Sequence, residues 1–196
     1  MSSNVYIFIG QSGAGKGTQG RLLEQKLKDF DKNSGVLYLE TGARFRELIK
    51  SENFTARKTK EVMKAGKLPP SFLGIHAWTH FLIEDYDGAS HVIIDGTPRV
   101  PEEVPIILSA AKFFEWNTHV IFIDVSDEWA HDKMSGRHRA DDDERDIWER
   151  IQWYHESVEP TIELLRNSPV VTFHCIHGEQ TIDLVHRDIC FELGLE

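Results

Sequence analysis

Five short apolar runs punctuate the chain: Val5–Ile9, Val36–Leu39, Val92–Ile94, Val120–Val125 and Val170–Phe173. They are rich in β-branched and aromatic residues and read as buried strands. Between them the apolar positions recur at helical spacing. That spacing predicts helices over about Gly15–Phe30, Ala43–Lys50, Ala56–Ala65, Ser71–Tyr86, Glu102–Trp116, Glu128–Ser135, Glu144–Arg166 and Glu179–Leu193. Strands alternating with helices make an α/β protein whose parallel sheet carries helices on both faces. Five buried strands predict a doubly wound open sheet, which binds ligands at the carboxyl ends of its strands. One interval breaks the rhythm. Three helical segments separate the second strand from the third, where one crossover helix would suffice. Residues 41–67 therefore read as a small helical insertion over the site, with a decorated crossover as the alternative.

A length of 196 residues suits one such domain, and 40% hydrophobic with 28% charged residues predicts an ordinary core rather than disorder. No apolar run approaches the ~20 residues of a membrane helix. The N-terminal segment has no basic region before its apolar run, so no signal peptide is expected. Cys175 and Cys190 lack metal-type spacing and suggest reduced thiols in the cytoplasm. The formal net charge of −10 disfavours nucleic acid as a partner. An anionic ligand must instead meet a local cluster of cations.

Gly10-Gln11-Ser12-Gly13-Ala14-Gly15-Lys16-Gly17-Thr18 lies between a predicted strand and a predicted helix. That context makes it a credible phosphate-binding loop. Its glycines let backbone N–H groups wrap phosphate oxygens, the helix adds its positive end, and Lys16 supplies a mobile charge. Thr18 offers a hydroxyl near a metal, although Gly17 separates it from the lysine. The strand His91–Ile94 ends in Asp95-Gly96, a carboxylate able to hold Mg²⁺ through water. The competing reading of Asp95 is a turn-opening residue. Arginines follow at Arg44 and Arg46, at Arg99, and at Arg137, Arg139 and Arg150. A lone arginine is usually a solvated ion pair, and Arg44 fits that description. As a set in an acidic chain they suit phosphate, which guanidinium forks grip bidentately. Asp141 and Asp142 suit the start of the following helix. His76 and His80 share a helix face but lack a third metal ligand.

These segments resemble the adenylate kinase family of nucleoside monophosphate kinases, which are P-loop NTPases. Gly13–Gln19 (GAGKGTQ) is similar to its phosphate loop, including the glycine after the lysine. Thr41-Gly42 with Arg46, Ala65–Leu68 (AGKL), Asp95–Arg99 (DGTPR) and the run Arg137, Arg139-Ala140-Asp141-Asp142, Arg150 resemble its other segments. The resemblance spans residue 5 to about residue 160. It implies transfer of the γ-phosphoryl group of ATP to a nucleoside monophosphate, AMP first, by a cytoplasmic monomer. It implies ATP binding at Gly13, Ala14, Gly15, Lys16, Gly17 and Thr18, with Arg137 and Gln180 near the donor. Thr41, Arg46, Lys67, Leu68, Pro69, Gly96, Arg99, Glu103, Arg139 and Arg150 would bind the acceptor. Lys16, Arg99, Arg137, Arg139 and Arg150 would serve catalysis. Asp95 and Thr18 would serve Mg²⁺. The insertion at 41–67 would hold the monophosphate, and 136–142 would form a minimal lid loop, too short for a lid domain. Thr97 replaces the family's phenylalanine, and Glu103 replaces the glutamine that reads adenine. Kinases for GMP, CMP or UMP, and a nucleotide-binding regulatory protein without turnover, therefore remain alternatives at this point.

Overall fold

The computed structural model describes residues 3–64, 69–136 and 144–196. Five strands form one sheet: β1 (Asn4–Ile9), β2 (Val36–Glu40), β3 (His91–Asp95), β4 (Asn117–Asp124) and β5 (Thr172–His177), in the order β2-β3-β1-β4-β5. All four neighbouring pairs are parallel. The predicted sheet is therefore the observed one.

Alternation along β1 shows why both faces are covered. Val5, Ile7 and Ile9 enter one core, with Trp78, Phe81 and Leu82 of α4 (Ser71–Asp85), Val104 and Ile107 of α5 (Val104–Phe113), and Ile162 and Leu165 of α8 (Glu159–Arg166). Tyr6 and Phe8 point the other way. They meet Leu23 and Leu27 of α1 (Lys16–Phe30) and Val185 and Ile189 of α9 (Ile182–Glu192). Strands buried on both sides need continuous apolar runs, which is what made them readable.

The interval between β2 and β3 holds α2 (Thr41–Leu48), α3 (Phe54–Lys64) and α4. A third small core joins Ala130 and Met134 of α6 (Asp127–Gly136) to Ile147 and Ile151 of α7 (Glu144–Trp153). No described helix is long and apolar enough to cross a membrane.

Three boundaries differ from the sequence expectation. The last strand is Thr172–His177, not Val170–Phe173, and Val170 is 61% exposed in the preceding turn. As an edge strand it mixes polar with apolar residues, so its apolar content is thin. The expected helix Glu144–Arg166 is two helices joined by a π turn at Tyr154–Val158. Pro160, at the start of α8, has no N–H and its ring crowds the carbonyl of Glu156, so the ladder widens. The helix expected to reach Trp116 ends at Phe113, and Glu115 takes a φ of 53°.

Candidate functional site

The carboxyl ends of the strands gather the predicted residues. β1 runs directly into the glycine-rich loop, and α1 begins at Lys16. Register pairs Phe8 of β1 with Asp95 of β3, and Asp95 with Glu40 of β2. Thr41 follows Glu40, and Gly96 follows Asp95. The chain leaves β1 toward β2 on one side and crosses to β4 and β5 on the other. The loop therefore stands where an open parallel sheet leaves a crevice.

Gly13 holds a φ of 90°, and a Cβ there would lie 2.6 Å from the Ala130 carbonyl oxygen. Only a glycine closes the loop this tightly against α6. Lys16 Nζ donates to the carbonyls of Gly10 at 2.8 Å and Gln11 at 2.6 Å. Gly17, the residue that breaks the general loop pattern, has a structural reason. A Cβ on it would sit 3.2 Å from Asp95 Oδ2, so the glycine lets the first turn of α1 approach that carboxylate. Thr18 is exposed on the same turn, and Ala14 is buried beneath the loop.

Asp95 is 9% exposed, and Tyr38 Oη donates to its Oδ2 at 3.5 Å. Burial pushes its pKa above the usual carboxylate range, against the pull of Lys16 and Arg99. A buried carboxyl between cations, beside a helix start, is a hard oxygen donor for a divalent ion. The carboxyl of Asp95 is thus of the donor chemistry that Mg²⁺ takes, and the first turn of α1, which carries Thr18, approaches it at Gly17. Among the described residues no group of three His, Cys, Asp or Glu side chains could hold a metal by itself. His76 and His80 stack on each other at 5.6 Å.

Arg99 Nε donates to the Gly96 carbonyl at 2.6 Å, and the guanidinium lies 6.0 Å from the Trp153 ring centroid. Burial lowers its pKa, Asp95 and Glu103 pull it up, and Arg150 and Arg46 push it down. Three guanidinium groups from β2–α2, the turn after β3, and α7 therefore share one neighbourhood. Arg46 Nη2 is held by Glu40 Oε1 at 2.5 Å. A cleft lined by Gly10, Ser12, Lys16, Gly96 and Arg99, with Trp153 as a wall, joins the loop to Arg99. Arg44 stays apart, 3.9 Å from Asp85 and over the Phe81 ring, as an ordinary surface pair. Trp148 of α7 is 51% exposed with its ring against His131.

Thr41 Oγ1 donates to Thr97 Oγ1 at 3.0 Å, and both are buried. The threonine that departs from the family pattern thus has a partner next to the arginine turn. Glu103 is 4% exposed, and its Oε2 accepts from the Arg99 backbone N–H at 2.8 Å. Its Oε1 lies against Gly74 of α4, where a Cβ would come within 2.6 Å. Gln180 follows β5 at the same edge of the sheet. Its amide donates to His177 O and Asp188 Oδ2, both at 2.9 Å, and Gln19 of α1 donates to the nearby Ile182 carbonyl at 2.9 Å. Pro69 precedes α4 and is half-buried. Lys67, Leu68, Arg137 and Arg139, with residues 137–142 of the expected lid loop, lie outside the described residues.

Sequence reasoning missed the partners that Gln11 makes beyond the loop: Asp127 at 2.5 Å, and through it His155. No periodicity or motif links positions so far apart in the chain.

A family model described as adenylate kinase matches residues 8–170. An adenylate kinase of Mycobacterium sp. (strain MCS) is 33% identical over 166 residues, covering 82% of this chain and 84% of the relative. One from Prochlorococcus marinus (strain NATL1A) is 30% identical over 189 residues, 96% of this chain and 97% of its own. One from Campylobacter hominis is 29% identical over 192 residues, 95% of this chain and 93% of its own.

Proposed function

Because the chain belongs to the adenylate kinase family, we propose that it moves the γ-phosphoryl group of ATP onto AMP, giving two ADP, with Gly10–Thr18 as donor loop and Arg46, Arg99 and Arg150 as acceptor cluster. It is a nucleotide-binding transferase. The observation that carries the residue assignment is the gathering of Lys16 and Arg99 about buried Asp95, with Arg46 and Arg150 near Arg99, at the carboxyl end of the sheet, in a chain whose net charge is −10.

In this reading an α-phosphate oxygen of AMP attacks the γ-phosphorus in line, and the bond to the β–γ bridging oxygen breaks. The protein supplies position and positive charge rather than covalent chemistry. Gly13, Ala14, Gly15, Gly17 and Thr18 present backbone N–H groups to the donor phosphates. Lys16 leaves the Gly10 and Gln11 carbonyls to pair with them. Gln180 and its loop border the donor base. Arg46, Arg99 and Arg150 grip the acceptor phosphate, with Thr41, Gly96, Lys67, Leu68 and Pro69 around the nucleotide. Arg137 and Arg139 close on the transferring group. Asp95 and Thr18 would hold Mg²⁺, which would supply charge neutralisation to the phosphates. Residues 41–67 are the monophosphate-binding insertion and 136–142 the short lid. The same reading takes the protein as a cytoplasmic monomer.

Glu103 bears on the acceptor base. Guanine offers two adjacent donors, which a carboxylate could accept with both oxygens. Here Oε2 is engaged by the Arg99 N–H. The other oxygen, Oε1, lies against Gly74 of α4, so the carboxylate is committed to the Arg99 turn rather than presented to guanine, and AMP as acceptor rests on the family to which the chain belongs.

Lys16→Met tests the donor assignment. Removing the charge lowers kcat by orders of magnitude while the thermal melt stays near that of the parent, because electrostatic stabilisation is the main catalytic resource here. Turnover near the parental rate would refute the role of the loop.

A further inference from the structure

A polar chain touches the donor loop and is used by none of the roles above. Gln11 is 3% exposed, and its amide donates to Asp127 Oδ1 at 2.5 Å. This is the one hydrogen bond of the Gln11 side chain among the described residues, and the Gln11 carbonyl is one of the two that hold Lys16. Asp127 opens α6, where Ser126 Oγ caps the helix by accepting from the Trp129 N–H at 3.2 Å. The Asp127 carboxylate also meets His155 Nε2, at 3.1 Å through Oδ1 and 3.0 Å through Oδ2. His155 stands in the π turn, and its Nδ1 faces Glu159 Oε1 at 3.0 Å.

A neutral imidazole has one N–H to give. With a carboxylate at each ring nitrogen, His155 satisfies both only as the imidazolium. Among the described residues the charged groups facing it are Asp127 from α6 and Glu159 from α8, and the edge of the Tyr154 ring packs beside it. Burial works against the charged ring, but the hydrogen bonds to Asp127 and Glu159 outweigh it and hold its pKa above the ordinary histidine range.

We propose that Asp127 is a positioning residue for the donor loop, held in place by protonated His155, so that the grip on the ATP phosphates weakens as His155 loses its proton. The inference rests on the reading of Gly10–Thr18 as the ATP site. Its physical route is short. Without the imidazolium, the Asp127 carboxylate loses a charged partner and is freer to leave Gln11. The buried Gln11 amide then lacks its partner, and the loop segment whose carbonyl holds Lys16 relaxes. The sign follows from the raised pKa. The clamp is complete below the ordinary histidine pKa and is lost as pH rises through the elevated value.

The test is initial-rate kinetics of the intact protein with Mg-ATP and AMP from about pH 6 to pH 9, the range over which a histidine with a raised pKa loses its proton. The KM for ATP rises about two- to fivefold across the transition, the size that a partly exposed ion pair supports, while the KM for AMP does not follow it. His155→Lys, which keeps a cation, holds the low KM for ATP and removes the step. Asp127→Asn keeps an acceptor for Gln11 without the ion pair and also removes it. Asp127→Ala raises the KM for ATP at every pH. Melting curves confirm that each variant is folded, and the two conservative variants carry the test if the alanine variant is not. The proposal is overturned if the step persists in His155→Lys, if Asp127→Asn leaves it intact, or if the KM values of both nucleotides move together. A parent protein that never converts ATP and AMP to ADP would instead sink the ATP-site reading, and the clamp with it.

Discussion

Arg99 lies at the centre of the proposed acceptor cluster, and Glu103 fixes its backbone. The Glu103 carboxylate accepts the Arg99 N–H from below while the guanidinium is tied to Gly96. Leaving a buried N–H without a partner costs about 1–3 kcal/mol. Glu103→Ala should therefore lower the melting temperature and raise the KM for AMP, whereas Glu103→Gln, which still offers an oxygen, should restore both. Calorimetry with acceptor kinetics on the two variants checks this, and a glutamine variant as impaired as the alanine one would remove the anchor from the account. At this scale the sequence was most legible where a residue type has few other uses. A lysine among glycines between strand and helix, or an Asp-Gly ending a buried strand, has little else to do. It was least legible where the partner is remote. Gln11 stood only as one residue of the loop, Thr97 as a bare departure from the family pattern, and Glu103 as a base reader. Contacts to Asp127, Thr41 and Arg99 give each a second role.

The elements were readable in proportion to their burial. β1, β3 and β4 lie inside the sheet, and their apolar runs stood out. β5 lies at the edge with the pattern Thr-Phe-His-Cys-Ile-His, so the nearby Val170 and Val171 drew the reading two residues too early. The π turn was invisible because apolar spacing continues through it, and the one local signal is Pro160 at the start of α8. The three helices between β2 and β3 were correctly separated, and their packing now makes a prediction. The buried residues of α3 are Ala56 and Thr59, and Phe54 at its start is 67% exposed. An element with so little buried surface opens at low cost. Amide hydrogen exchange should be fast in α3 and slow in β1 and β4. A bisubstrate analogue should then slow α3 selectively, because a kinase site closes over its nucleotides before transfer. Protection in α3 equal to that of β1, or unchanged by the analogue, would remove this segment from the closing motion.

The molecule as a whole is acidic, yet its proposed ligands are polyanions. A net charge of −10 opposes their approach at long range. In the proposed reading binding is governed by the few cations at the carboxyl end of the sheet, where low local dielectric strengthens each pair. A second polar cluster of histidines lies away from these cations. At the amino end of the sheet His119 bonds His174 at 3.1 Å and stacks on Tyr6, and burial beside His174 pushes its pKa down to about 4. The whole account converges on one reaction with one preferred acceptor, and a panel of AMP, GMP, CMP and UMP with Mg-ATP tests it most directly. The account predicts ADP formation with AMP at two ADP per AMP consumed, and a kcat/KM for AMP at least about tenfold above that for GMP, as expected when a buried polar edge is left unmatched by the wrong base. A higher kcat/KM for another monophosphate, or no ADP formed from AMP, would contradict it.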